Sequence, residues 1–262
     1  MSSPPERQTS SKDLRKVISD GYGTGTLVAL GLLVAVYAFV FWNWGFLIVW
    51  DRGFDPLLVI IWMAMTWLLT WNIDARRDIP LALVAFIGGG VIEWWGTTTE
   101  LWRYFTNDRP PLWILPAWPI AALAVDRLAI FVDRKIHKDM RLGWAYWLMV
   151  PTFIAGMTAF AWPTRHILST CVVVGLMIGV AMSTTNVRRD VVLFLAGAGL
   201  GIFLEYWGTS RGCWIYWTQE TPPPIAVVAH GFASITFNRA IEVGQWVTRG
   251  LSRPAAPTAR LH

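Results

Sequence analysis

The sequence predicts an all-α fold: a polytopic membrane protein of eight transmembrane helices, arranged as two parallel four-helix repeats. Three observations predict it. Of 262 residues, 55% are apolar and only 15% are charged, with a mean hydropathy of +0.44. An average soluble domain carries about 25% charge. Disorder is excluded, because this much apolar surface must be buried somewhere. Eight apolar stretches approach the roughly 20 residues that cross a bilayer. Finally, the chain repeats itself at one fixed shift.

The eight stretches are residues 24–44, 56–73, 79–95, 112–132, 142–162, 167–187, 191–207 and 224–243. Residues 1–23 are polar and basic and do not resemble a cleavable signal, since no short apolar core with a small-residue cut site follows. Residues 249–262 are rich in Pro, Ala and Arg and read as a disordered tail.

Lys and Arg set the orientation. The amino tail, the connections after the second, fourth and sixth stretches, and the carboxyl tail hold 17 of the 22 basic residues; the other side holds Arg52, Arg103, Arg109, Arg165 and Arg211. Eight crossings with both termini cytoplasmic put every basic cluster inside. Seven or nine crossings break the pattern.

A shift of 112 residues aligns the two halves without a gap. Arg76-Arg77-Asp78 falls on Arg188-Arg189-Asp190, Glu93 on Glu205, Trp95 on Trp207, and Pro110-Pro111 on Pro222-Pro223. From Arg76 to Arg127, 18 of 52 positions are identical. Internal repeats of this kind determine the architecture. Four crossings per half return the chain to the same side, so residues 24–134 and 142–248 share one orientation. An axis along the membrane normal relates such repeats, and a seam lined by equivalent residues is expected between them.

Glu93 and Glu205 lie near the outer ends of the third and seventh stretches. Ionisable side chains in membrane segments face the bundle interior or a wet cavity. Ala85, Gly89 and Glu93 are spaced four apart, as are Gly197, Gly201 and Glu205. That spacing puts them on one helix face, and small residues mark where another helix comes close. Both glutamates therefore point into protein. Burial raises a carboxyl pKa, so such a pair can divide acid and base roles. The competing reading makes each glutamate a structural lock, bonded to a loop amide or to Thr97 or Thr209.

After each glutamate comes the same loop, residues 96–111 and 208–223: Gly-Thr, then Trp-x-Tyr-x-Thr, then Pro-Pro. Glycine suits a left-handed helix end, and the prolines impose an extended approach to the next helix. A loop of fixed shape over the glutamate is expected. Tryptophan, 18 residues in all, is concentrated toward this outer side. An aromatic belt explains some of this. An aromatic-lined site for a flat conjugated lipid or a carbocation explains the asymmetry. The halves differ where Trp118 becomes His230, Asp126 becomes Asn238, and Glu100-Leu101 becomes Gly212-Cys213. His230 can pair with Glu205 as an acid–base partner or bond a neighbouring helix.

These loops resemble the carotenoid biosynthesis membrane-protein family that includes carotenoid hydratases. Glu205, Gly208, Thr209, Gly212, Trp214 and Tyr216 carry the resemblance, with Glu93, Gly96, Thr97, Trp102 and Tyr104 in the first half and Pro116 with Trp118 at the following helix. The resemblance implies hydration, or a related proton-initiated change, of an isoprenoid double bond, by a lyase (hydratase) or an isomerase. Catalysis would fall to Glu93, Glu205 and His230. Glu205 would protonate the alkene, and Glu93 or His230 would hold the water. Trp95, Trp102, Tyr104, Trp118, Trp207, Trp214 and Tyr216 would line the site and shield the cation. No metal and no other cofactor is required.

Other classes fit less well. Di-iron desaturases need closely spaced histidines; this chain has His137, His166, His230 and His262, with no such box. Asp74-x-x-x-Asp78 is half of a magnesium–diphosphate motif, but Asn186 replaces the first aspartate in the second half. Arg76-Arg77-Asp78 reads more simply as an orientation anchor. A transporter would use the seam as its path and the glutamates as proton sites. A non-catalytic subunit or scaffold would use the same faces to hold a membrane-protein partner. The expected ligand is a membrane lipid or isoprenoid; nucleic acid is not expected. Two cysteines, Cys171 and Cys213, make no CxxC motif.

Overall fold

The computed structural model describes residues 23–47, 55–71, 73–137 and 140–251. The tails expected to be basic and disordered lie mostly outside these residues, although the last helix runs to Leu251. By compactness the chain divides into two units, Met1–Ala75 and Arg76–His262.

The fold is all-α, with eight helices among the described residues: α1 (Thr24–Trp44), α2 (Asp55–Thr70), α3 (Ala75–Thr98), α4 (Ala117–Lys135), α5 (Gly143–Phe160), α6 (Leu168–Met182), α7 (Val187–Ser210) and α8 (Pro224–Leu251). A 3-10 turn, Leu112–Ile114, leads into α4. Among the described residues, four helical spans are long and apolar enough to cross a membrane: Thr24–Trp44, Ala75–Thr98, Leu112–Lys135 and Val187–Ser210. These are compatible with an integral membrane protein. The two shorter apolar helices, Pro56–Thr70 and Leu168–Met182, fall below that length. Sequence spacing anticipated the helices and misjudged their ends. The side chain of Asn186 accepts from the Arg189 amide at 3.1 Å and starts α7 as an N-cap. Helix α7 therefore begins at Val187, a turn ahead of the expected residue 191, and α6 ends at Met182.

In the first unit, α1 and α2 meet where Tyr37 stacks on Trp62, ring centroids 5.5 Å apart.

The second unit is built around α3, α4, α7 and α8. Val125 and Ala129 of α4 are buried with Val192, Leu193 and Ala196 of α7. Leu81 and Ala85 of α3 are buried with Ala122 of α4 and Ala233 and Phe237 of α8. Helices α7 and α8 approach backbone to backbone. A Cβ on Gly197 would lie 2.7 Å from the His230 carbonyl oxygen, and one on Gly201 would lie 2.6 Å from that of Val227. Helices α3 and α4 meet differently. The Trp118 side chain lies on Gly89, where a Cβ would stand 2.1 Å from the indole Cγ. A large ring in the first half and a smaller one in the second thus separate the two helix pairs by different amounts.

Two short strands depart from the helical pattern: β1 (Trp102–Tyr104) and β2 (Trp214–Tyr216). They pair antiparallel, Trp102 opposite Tyr216 and Tyr104 opposite Trp214. The central pair, Arg103 and Ile215, are equivalents under the 112-residue shift, so the register is two-fold symmetric about them. The flanking amides keep this symmetry: Phe105 donates to the Cys213 carbonyl at 3.1 Å, and Trp217 to the Leu101 carbonyl at 3.0 Å. The ribbon closes over Trp95, Leu101, Phe160 and Tyr216. Gly96 and Gly208 do not end their helices, contrary to the expectation from the loop sequence. Both helices continue, and the first left-handed residue after each is Glu100 or Gly212, with φ of 61° and 65°.

Candidate functional site

Each glutamate is buried at the ribbon end of its helix, Glu93 at 5% exposure and Glu205 at 4%. Three residues later comes glycine, on the same helix face. A Cβ there would sit 1.9 Å from the Trp102 ring at Gly96, and 2.0 Å from the Trp214 ring at Gly208. Glycine therefore lets each indole lie across its helix end and reach the carboxylate. In Trp-x-Tyr the two side chains share one face of a strand, so both donors arrive together.

The result is a three-donor cradle around each carboxylate. Glu93 Oε2 accepts from Trp102 Nε1 at 3.1 Å and Tyr104 Oη at 2.8 Å, and Oε1 accepts from Trp118 Nε1 at 3.1 Å. Glu205 Oε2 accepts from Trp214 Nε1 at 3.0 Å and Tyr216 Oη at 2.9 Å. Its Oε1 lies 2.9 Å from His230 Nε2. Burial, and then the adjoining glutamate, push the Tyr104 and Tyr216 phenols well above their usual range, which keeps both as donors.

The cradles differ at one partner. Indole N–H groups only donate, so Trp102 and Trp118 can give Glu93 nothing but hydrogen bonds. Imidazole nitrogen donates or accepts, according to where its proton lies. A proton can therefore pass between Glu205 Oε1 and His230 Nε2, and Trp118 offers Glu93 no such exchange. Both alternatives for His230 meet here, since its neighbouring-helix partner is Glu205. The threonines play another part: Thr97 and Thr209 donate to the backbone carbonyls of Glu93 and Glu205, both at 2.6 Å, not to the carboxylates.

Of the remaining aromatics, Trp95 donates to Thr170 Oγ1 at 3.0 Å and packs edge-on against Trp102. Trp207 is half-buried on α7. Across the ribbon Trp102 meets Tyr216 and Tyr104 meets Trp214, centroids 6.1 and 5.9 Å apart.

A small cavity of about 10 Å³ lies between α4, α7 and α8. Four equivalent pairs line it, Trp118 with His230, Ala121 with Ala233, Ala122 with Ser234, and Val125 with Phe237, together with Gly197 and Leu200. Trp118 and His230 stack across it.

At the opposite helix ends lies a feature that spacing alone missed. Arg127 donates to Asp78 at 2.6 Å, and Arg239 pairs with Asp190. Arg77 pairs with Asp126, while Arg189 donates to Asn238 at 2.7 Å. The Arg-Arg-Asp runs are therefore reciprocal clamps between α3 and α4 and between α7 and α8, not anchors alone. Asp78 is engaged by Arg127. The available signal was opposite charge at a constant separation of 49 residues in both halves.

Among the described residues, no group of three or more His, Cys, Asp or Glu side chains could hold a metal ion. Neither Cys171 nor Cys213 is in a disulfide. No family model matches the chain, and no curated protein or solved structure matches it.

Proposed function

We propose that the protein is an eight-span integral membrane protein in which Glu205 and His230 exchange a proton with an isoprenoid-type lipid, in hydratase-like chemistry. The architecture in this reading is two four-helix repeats, residues 24–134 and 142–248, parallel and with both termini cytoplasmic. Its support is the recurrence of elements at the 112-residue shift, the two-fold pairing of β1 with β2, and the paired lining of the central cavity. The concentration of arginines at the end opposite the ribbon supports the orientation.

One observation carries the chemical reading: in the second half, a carboxylate otherwise held by fixed donors has a histidine at 2.9 Å. With 22% of its side chain exposed against 6% for Glu205, His230 is the member of the pair that a substrate can reach. The pair delivers a proton to an alkene carbon, leaving a tertiary cation beside aromatic ring faces. Water adds to the cation, and the proton shed by the resulting oxonium returns to the pair. Alkene plus water gives alcohol, with no electrons exchanged. Glu93 serves here as the hydrogen-bonded centre of the first-half cradle. The lipid class rests on the loop resemblance, and the proton step on the geometry. A transport path along the seam has less support, because the cavity there is water-sized. Nothing in the geometry favours a scaffold.

Mass spectrometry of lipids from cells with and without the chain tests this reading. The parent should yield an isoprenoid heavier by one water. Glu205→Gln and His230→Gln should each lower that product by about a hundredfold, the scale of a lost general acid, while remaining folded and inserted. Undiminished product in both variants, or no hydrated lipid with the parent, would reject it.

A further inference from the structure

The cavity between α4 and α8 is the strongest feature that the proton step does not use. Its volume, about 10 Å³, is close to that of a single water probe and far below any lipid. A buried water also needs two to four polar partners. Most of the lining is apolar, and the polar groups are placed unevenly. Trp118 has its indole N–H committed to Glu93. Its equivalent, His230, commits Nε2 to Glu205 and retains Nδ1 for another partner. Ala122 has no polar group. Its equivalent, Ser234, has a hydroxyl whose hydrogen points to the His230 carbonyl at 2.8 Å, so its oxygen remains an acceptor. Both polar partners therefore come from the second half, one turn apart on α8.

We propose that this cavity binds one water molecule between His230 and Ser234, and that this water is the molecule added to the substrate. The binding site stands on the cavity and its two polar groups; its role as reactant rests on the hydratase-like reading. In that role the water oxygen bonds to the cationic carbon, and the proton it sheds passes to the histidine beside it. The duplication thus supplied one half with an indole and a methyl group, and the other with the imidazole and hydroxyl that hold a reactant.

Histidine-¹⁵N-labelled protein in lipid nanodiscs tests the site by magnetisation transfer from water to the His230 ring. The parent should show a water cross-peak. Ser234→Ala should weaken it by about fivefold, the occupancy that one neutral hydrogen bond supports. Ala122→Val should abolish it by filling the space, and the milder serine variant covers the case in which the larger side chain disturbs folding. A parent with no water cross-peak, or one unchanged in both variants, overturns the site. The two proposals fail separately. A water contact without a hydrated lipid leaves the site and rejects the reaction. A hydrated lipid that depends on His230, without a water contact, leaves the reaction and rejects the site.

Discussion

Trp118 and His230, 112 residues apart in sequence, stack on one another with ring centroids 5.9 Å apart and planes 18° apart. Each also contacts the glutamate of its own half, Trp118 through an indole N–H and His230 through Nε2. The two cradles thus meet ring to ring, and the single substitution between them decides which carboxylate has a partner that can move a proton.

The ring seats give the first prediction. Gly89 and Gly90 are neighbours on α3, yet an added Cβ meets Trp118 at 2.1 Å from the first and only Leu115 at 3.5 Å from the second. Gly89→Ala should destabilise by about 1–3 kcal/mol, the usual cost of overpacking. Gly90→Ala should be neutral, or stabilising by up to about 1 kcal/mol through helix propensity. Thermal unfolding in detergent compares them; equal midpoints would show that Trp118 does not seat on Gly89.

The indole seats at Gly96 and Gly208 should respond together. Alanine at either position must displace an indole from its glutamate, since the added carbon falls within about 2 Å of the ring, at 1.9 and 2.0 Å. Tryptophan fluorescence should shift, and stability should fall by about 1–3 kcal/mol in each variant. An unshifted spectrum with parental stability would contradict the cradle geometry.

Ion pairs at the two ends should separate by burial. Arg127 and Asp78 are buried, with side-chain exposures of 8% and 12%, whereas Arg109 and Glu100 are exposed at 51% and 62%. Asp78→Ala should cost about 3–5 kcal/mol by taking the hydrogen-bonded carboxylate from a buried arginine. Glu100→Ala should cost at most about 1 kcal/mol. Denaturation midpoints in the same detergent give the comparison, and similar losses would mean that the clamp is solvated.

The phenols predict an alkaline limit. Burial raises Tyr104 and Tyr216 above the ordinary value near 10. Below that pH both are protonated whether folded or unfolded, and their contribution is fully present. As pH rises further, the unfolded chain releases these protons while the folded chain keeps them, so stability falls until the folded phenols titrate. Phenolate absorbance of the parent, less that of a Tyr104→Phe/Tyr216→Phe variant, should show two phenols that ionise only with unfolding. If the difference titrates near pH 10 in folded protein, the ribbon does not shield them.

Much of this site was legible before any coordinates. Four-residue spacing placed Glu93 with Gly89 and Ala85 on one face, and the structure buries that face. The loop sequence put a fixed shape over each glutamate, but that Trp102 and Tyr104 lie on a strand and share its face came from the structure. The helix ends were less legible. Asn186 capped α7 where apolar periodicity continued, and Glu100 took a left-handed backbone in place of Gly96. Local hydrogen bonding decided both, and periodicity does not register it.

The sequence by itself determined the duplication, the helical fold class, the burial of two glutamates, and the position where the halves diverge. Tertiary structure decided that Trp118 and His230 share one cavity, that Asp78 meets Arg127 across 49 residues, and that Trp-x-Tyr runs pair into a ribbon over the helix ends. The physical reason is range. A helix face follows from a 3.6-residue period within one segment, whereas which faces meet depends on how closely whole helices approach. Here a glycine-to-backbone contact between α7 and α8, and an indole on Gly89 between α3 and α4, set that distance.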